Sequence, residues 1–318
     1  MQTLRSSRSP CADAFAWARA GGRRLLPQRP GIRLATRVFI RRVALLACFP
    51  GAVLAQQQSS QAGGCSLLNP VPDDAMRSFN TDRPTKSNVP YTVDCGHFQY
   101  ETDVANYARL ETAGTVTETY LLPNPTLKLG ITGNADVEIN IVPYQRIRVR
   151  NANGQVATAS GLGDLYARLK VNLWGNSGGN SALALIPYLK APTAATGVGN
   201  GAVEGGIIAP LAFTLPASLT LVLNSELDIL KDSSGSGYHP NYLNLVNLSR
   251  TFGGKLTLYG ELWSNVNSDS SGTVRQYSFD TAAAWLARPN LQFDIGVNAG
   301  LNNATPSYQV YLGVSQRL

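Results

Sequence analysis

The chemistry on offer in this sequence is carried by charged side chains at every second position. Asp136 and Glu138, then Arg146, Arg148 and Arg150, alternate with Val137, Ile139, Ile147 and Val149. Asp164, Arg168 and Lys170 interleave with Leu165, Leu169 and Val171 in the same way, and Glu101, Asp103, Glu226, Asp228, Asp280 and Asp294 stand in similar settings. Successive side chains on a strand point to opposite faces, so each stretch presents one polar and one apolar face. Acids and bases lining a common space orient dipoles and screen the charge of a passing solute. The same groups can instead pair across neighbouring strands and fill a narrow interior. The Arg146, Arg148, Arg150 ladder has two further readings: it runs beyond a membrane into a loop, or it contacts anionic lipid heads.

Catalytic constellations are missing. His97 and His239 are far apart with no serine partner, so nucleophilic hydrolysis is not supported. Two cysteines and two distant histidines show no metal-ligand spacing, and no phosphate-cradling glycine loop opens a helix. The expectation is a protein that is not an enzyme and carries neither cofactor nor metal.

The elements that must position these charges are strands. Alternation recurs from Phe98, in Asp136 to Arg150 and in Asp164 to Leu173, and near 115–130, 181–190, 203–214, 219–229, 241–251, 255–264, 275–286, 291–301 and 308–318. Turn signals such as Gly133-Asn134, Asn153-Gly154, Gly253-Gly254 and Pro289-Asn290 separate them. This predicts an all-β fold, a closed antiparallel transmembrane β-barrel of about 12 strands over 96–318. Periodicity alone fits a soluble sandwich equally well, with its apolar faces inward. Aromatic residues near strand ends, including Tyr107, Tyr120, Trp174, Trp263 and Trp285, favour the membrane barrel. So does a final alternating strand, Tyr308 to Leu318, that reaches the last residue, although Leu stands where such barrels commonly carry Phe.

The net charge of +7 first suggests a nucleic-acid binder. Ten of the 27 Lys and Arg precede residue 56 against one acid, so the remainder holds 17 bases and 19 acids, a net of −2. No basic surface is left for phosphates, and no nucleic-acid partner is expected. The early basicity belongs to an export signal over 1–55: Arg41-Arg42, an apolar core from Val43, and small residues Val53 and Ala55 before a cleavage point. The translation start stays open between residue 1 and Val38. No run of 18 apolar residues could form a spanning helix.

Residues 56–95 contain Pro70, Pro72, Pro84 and Pro90 and few apolar side chains. They read either as a periplasmic segment or as a small plug inside the barrel, held by Asp82 and Arg83. Cys65 and Cys95 are an even pair in an oxidising compartment, which predicts a disulfide between them.

Phe79-Asn80-Thr81-Asp82-Arg83-Pro84, with Pro90-Tyr91-Thr92-Val93-Asp94 and Gly96-His97-Phe98-Gln99-Tyr100-Glu101, resembles the opening segment of the outer-membrane proteins named for the meta-pathway of phenol degradation. Gly161-Leu162-Gly163-Asp164 and the ending Gly313-Val314-Ser315-Gln316-Arg317 are similar too. The resemblance covers roughly 76–318. It implies a bacterial outer-membrane barrel acting as a channel or transporter for small solutes, aromatic or other hydrophobic compounds among them. Its partners would be outer-membrane lipid, the barrel-assembly machinery and a small-molecule solute. The competing expectation is a structural or adhesion barrel with a filled lumen and no transport.

Overall fold

The computed structural model describes residues 64–318, and the expected export signal lies outside them. Fifteen strand segments form one antiparallel sheet that closes on itself: β1 (Phe98–Thr112), β2 (Thr115–Leu121), β3 (Asn124–Thr132), β4 (Ala135–Ile141), β5 (Gln145–Arg150), β6 (Val156–Gly161), β7 (Leu165–Trp174), β8 (Ser181–Ala191), β9 (Glu204–Leu215), β10 (Leu219–Lys231), β11 (Tyr238–Phe252), β12 (Leu256–Asn267), β13 (Val274–Arg288), β14 (Leu291–Gly300) and β15 (Tyr308–Arg317). β15 returns to pair with β1, which closes the barrel, while in its upper part β6 pairs only with β5.

Three staves are each broken in two. β1 pairs with β3 in its lower part and with β2 in its upper part, β3 with β4 and β2 with β5, and β4 with β7 while β5 pairs with β6. β2–β3, β4–β5 and β6–β7 therefore each count as one stave, and the barrel has twelve. The breaks have sequence causes. Pro123 and Pro143 lack the N–H that a ladder needs, and Gly161 and Gly163 flank the third. Bonds from Leu122 N to the Tyr144 carbonyl (2.9 Å) and from Gly163 N to the Val142 carbonyl (2.8 Å) carry the wall across the gap.

The pleat is turned inside out relative to a soluble barrel. Lys170, Glu138, Glu261, Asp136 and Asp280 are fully buried, while Ile295, Leu262, Trp285 and Phe279 are about half exposed on the outer face. So large a girdle of exposed apolar side chains is incompatible with water and suits lipid. No helix among the described residues is long and apolar enough to cross a membrane; a 3-10 turn at Asp73–Ala75 precedes the barrel.

Both ends of the described chain lie at one rim, where Leu318 N donates to the Phe98 carbonyl. Connections at that rim run from the two-residue turns 133–134 and 289–290 to 175–180 at most, whereas the opposite rim, besides the tight turn 113–114, bears 232–237, 268–273 and the longer 192–203 and 301–307. Short turns mark the periplasmic end of such barrels and longer loops the outer end.

Candidate functional site

The interior is built from the polar half of each stave. Gln99, Glu101 and Asp103 of β1, Lys128 of β3, Asp136 and Glu138 of β4, and Lys170 and Asn172 of β7 are all buried on the lumen side. Asn224 and Asp228 of β10, Glu261 of β12, Asp280 of β13 and Asp294 of β14 continue the ring. Glu226 shares the inward face of β10, half-buried.

Residues 77–94 enter this space from the periplasmic rim and return to it. At the rim, Arg77 Nε donates to Asp94 Oδ1 (2.7 Å) and Arg317 Nη1 to Asp94 Oδ2 (2.9 Å). Val93 N donates to Asp136 (2.8 Å) and Thr92 N to Asn176 (3.0 Å). Further in, Asp82 accepts from Lys128 and from Lys170 Nζ (2.7 Å). Those lysines also reach Glu101 (2.6 Å) and Glu138 (3.1 Å) respectively. Backbone N–H groups of Asp82 and Arg83 donate to Glu101 (3.0 and 3.2 Å). Burial alone would raise the Asp82 pKa, but Lys128 and Lys170 outweigh it and hold the carboxyl well below the usual range.

Across the lumen, Arg83 grips Asp294 with two prongs, Nη2–Oδ1 at 2.6 Å and Nε–Oδ2 at 3.1 Å, and also donates to Asp103. Gly313 leaves room for it, since a Cβ there would overlap the guanidinium and displace it from this position. Pro84, joined to Arg83 by a cis bond, is buried behind this grip. Lys86 Nζ lies 2.9 Å from Asp280 and 4.4 Å from the Trp263 ring centroid, while the Lys86 and Ser87 N–H groups donate to Glu261 at 3.1 Å. Thr81 accepts from Gln292 (3.1 Å). On the side away from the periplasm a polar cavity of about 220 Å³ remains, lined by Arg83, Lys86, Asn124, Asn140 and Arg168 among others.

Of the residues singled out in the sequence, Glu101, Asp103, Asp136, Glu138, Arg168, Lys170, Glu226, Asp228, Asp280 and Asp294 share this interior. Arg168 approaches Glu138 at 3.8 Å, and Tyr188 donates to Asp228 at 2.6 Å. Asp164 sits at the outer mouth beside Lys190 (3.2 Å), which also meets Glu204 (2.8 Å).

Arg146, Arg148 and Arg150 depart from the lumen expectation. The break at Pro143 shifts the alternation by one residue, and a one-residue slip moves every side chain to the other face. Ile147 and Val149 consequently turn inward and are buried, while the arginines face outward. The register fixes this: Ile147 pairs with Thr119 and Thr119 with Ala108, on the same side as Asn106 and Tyr311, whereas Arg146 pairs with Tyr120 and Tyr120 with Tyr107.

Cys65 and Cys95 are free thiols, not the expected disulfide. They are nonetheless neighbours: burial, then the hydrogen-bonding Cys65 thiol beside it, push the Cys95 thiol up to about 12.

Sequence reasoning missed Lys128, Glu261, Lys86 and Arg77. Lys128 lies between Leu127 and Leu129, a signal that was present but masked by the break at Pro123. It also left His239 without a partner. His239 Nδ1 lies 2.8 Å from Asp232 and 3.8 Å from Asp269, and these three are the described residues grouped as metal ligands might be. Asp269 already accepts from the Ser233 and Ser271 hydroxyls (2.9 and 2.6 Å), so those hydroxyls are turned to the carboxylate and not to the imidazole.

A closed twelve-stave barrel with an apolar outer face and a charged interior defines an outer-membrane β-barrel in contact with membrane lipid. The chain belongs to the family described as "Putative MetA-pathway of phenol degradation", whose model matches residues 81–318. Among solved structures it is similar to the COG4313 outer membrane channel from Pseudomonas putida F1, with a TM-score of 0.62 and 12% identity over 74% of this chain and 100% of that one. The NanC porin (TM-score 0.44, 8% identity, 70% and 100% coverage) and the β domain of the Bordetella autotransporter BrkA (0.42, 14%, 70% and 99%) are more distant barrels. Among curated proteins nothing matches.

Proposed function

We propose that the protein is a passive outer-membrane channel for small solutes, with residues 77–94 acting as a plug in its periplasmic half. The observation that carries this is the interior itself. A polar cavity of about 220 Å³ lies between residues 82–88 and the inward side chains of β1, β3, β4 and β7, among them Glu101, Asn124, Lys128, Asn140 and Arg168. A barrel meant only as a scaffold has no need to keep charged groups around vacant space. The lumen-lining residues are Glu101, Asp103, Asp136, Glu138, Asp164, Arg168, Lys170, Glu226, Asp228, Asp280 and Asp294, and Thr81 to Pro84 form the tip of the plug. The family's name points to phenols and related aromatics as solutes. No catalytic step is assigned to the protein, and β15 serves as the strand read by the barrel-assembly machinery.

Planar-bilayer recording of the purified mature protein tests the channel, and swelling of proteoliposomes in phenol against a neutral sugar tests the solute. Stepwise conductance with faster phenol entry is expected. The dense pairing of residues 77–94 favours a second reading, a filled structural barrel. No steps, either in the native protein or after replacement of 77–94 by a Gly/Ser linker, would establish that reading instead.

A further inference from the structure

The outward turn of the β5 arginines places cations on the lipid-facing wall. Tyr107, Tyr120 and Arg146 share one row of the sheet, Arg109, Glu118 and Arg148 the next, and Glu111, Val116 and Arg150 the last. The Tyr107 ring lies 4.8 Å from that of Tyr120 and 5.9 Å from that of Tyr308. A tyrosine belt of this kind marks the level where hydrocarbon gives way to headgroups. The arginines stand at that level and above it, on the rim that bears the long loops.

Two of the four cations are already matched. Arg148 Nη1 meets Glu118 at 2.7 Å and Arg109 Nη2 meets Glu111 at 3.1 Å. Arg146 and Arg150 are exposed, and neither has an ion pair among the described residues. The patch therefore keeps a net positive charge directly beside the membrane. A guanidinium offers a rigid fork that fits two phosphate oxygens at once.

We propose that this face holds the phosphate groups of an anionic outer-leaflet lipid, with Arg146 and Arg150 as the principal contacts and the tyrosine belt against the base of the headgroup. The occupant is membrane-borne because the forks project from the outer wall at headgroup height, away from the lumen through which soluble anions would arrive. The surface is independent of transport and stands even if the lumen conducts nothing.

The test uses the full mature protein in detergent, titrated with diphosphorylated lipid A, its dephosphorylated counterpart and phosphatidylcholine, with bound lipid read by native mass spectrometry. Each arginine near the surface is worth about fivefold in binding. The Arg146→Gln/Arg150→Gln double variant should thus bind the diphosphorylated lipid about thirtyfold more weakly. Arg146→Lys/Arg150→Lys, which keeps the charge but loses the fork, should fall between the native protein and the glutamine variant, and heat-modifiable migration checks that each variant has folded. Unchanged binding by the glutamine variant overturns the proposal, as does equal affinity for the dephosphorylated lipid. Displacement of the lipid by millimolar inorganic phosphate would also overturn it, by making the patch a site for soluble anions.

Discussion

The two walls of the lumen meet the same segment on different terms. On one side Lys128 of β3 and Lys170 of β7 have carboxylates on the staves themselves, Glu101 and Glu138, so Asp82 joins a network that is already matched. On the other, the inward charges of β12, β13 and β14 are Glu261, Asp280 and Asp294, and those strands place no base beside them. Their partners come from the segment: Arg83 for Asp294 and Asp103, Lys86 for Asp280, and backbone N–H groups for Glu261. One wall supplies both lysines and carboxylates that pair with each other without residues 77–94, whereas the carboxylates of the other draw their cations from them. A buried carboxylate stripped of its partner is costly, so the acidic wall is what holds the segment in place and what its removal would expose.

The largest effect should follow from replacing residues 77–94 with a Gly/Ser linker of equal length. The acidic wall then faces an open pore, and both conductance and preference for cations should rise severalfold, read from single-channel currents and reversal potentials. A rise in conductance with anion preference would break the asymmetry between the walls. Single substitutions sharpen the comparison. Arg83→Ala leaves Asp103 and Asp294 buried without a cation and should cost about 3–5 kcal/mol. Asp82→Asn leaves both lysines with glutamates and should cost about 1–2 kcal/mol, the scale of a lost hydrogen bond to a charged group. The temperatures at which the unboiled mobility is lost should fall in that order. Gly313→Val should mimic Arg83→Ala by occupying the space of the guanidinium, and the double variant should be little worse than either single one.

Much of this is legible in the sequence. Period-two alternation located the twelve staves, and Thr81 to Pro84 stood out by resemblance. What failed to read through were the places where alternation breaks. Pro143 does not end its stave but shifts its phase, so Asp136 and Glu138 face inward while Arg146, Arg148 and Arg150, a few residues on, face out. A local pattern cannot reveal that shift, because each half alternates correctly by itself. Lys128 was hidden behind Pro123 for a similar reason. The upper halves β2, β5 and β6 thus escape a rule that holds for the lower halves β3, β4 and β7. The partnership of Lys86 with Asp280 lay beyond reach for another reason: it joins positions distant in sequence through a segment with no periodicity.

The smallest expected effect concerns acid. The Asp82 carboxyl sits below its ordinary range in the folded protein because Lys128 and Lys170 stabilise the anion more than burial disfavours it. A lowered folded-state pKa stabilises the fold in full above the unfolded value near ~3.9, and that contribution is lost as pH falls through the folded value. Asp82 should therefore keep its grip from neutrality down to about pH 4. Conductance of the native protein should be unchanged across that interval, with the segment loosening on this wall only under stronger acid. Asp82→Asn, which has no such proton to take up, should flatten the acid limb of the stability profile and leave the rest in place. A rise in conductance of the native protein between pH 7 and pH 5, retained in Asp82→Asn, would shift the acid-sensitive hold to the opposite wall.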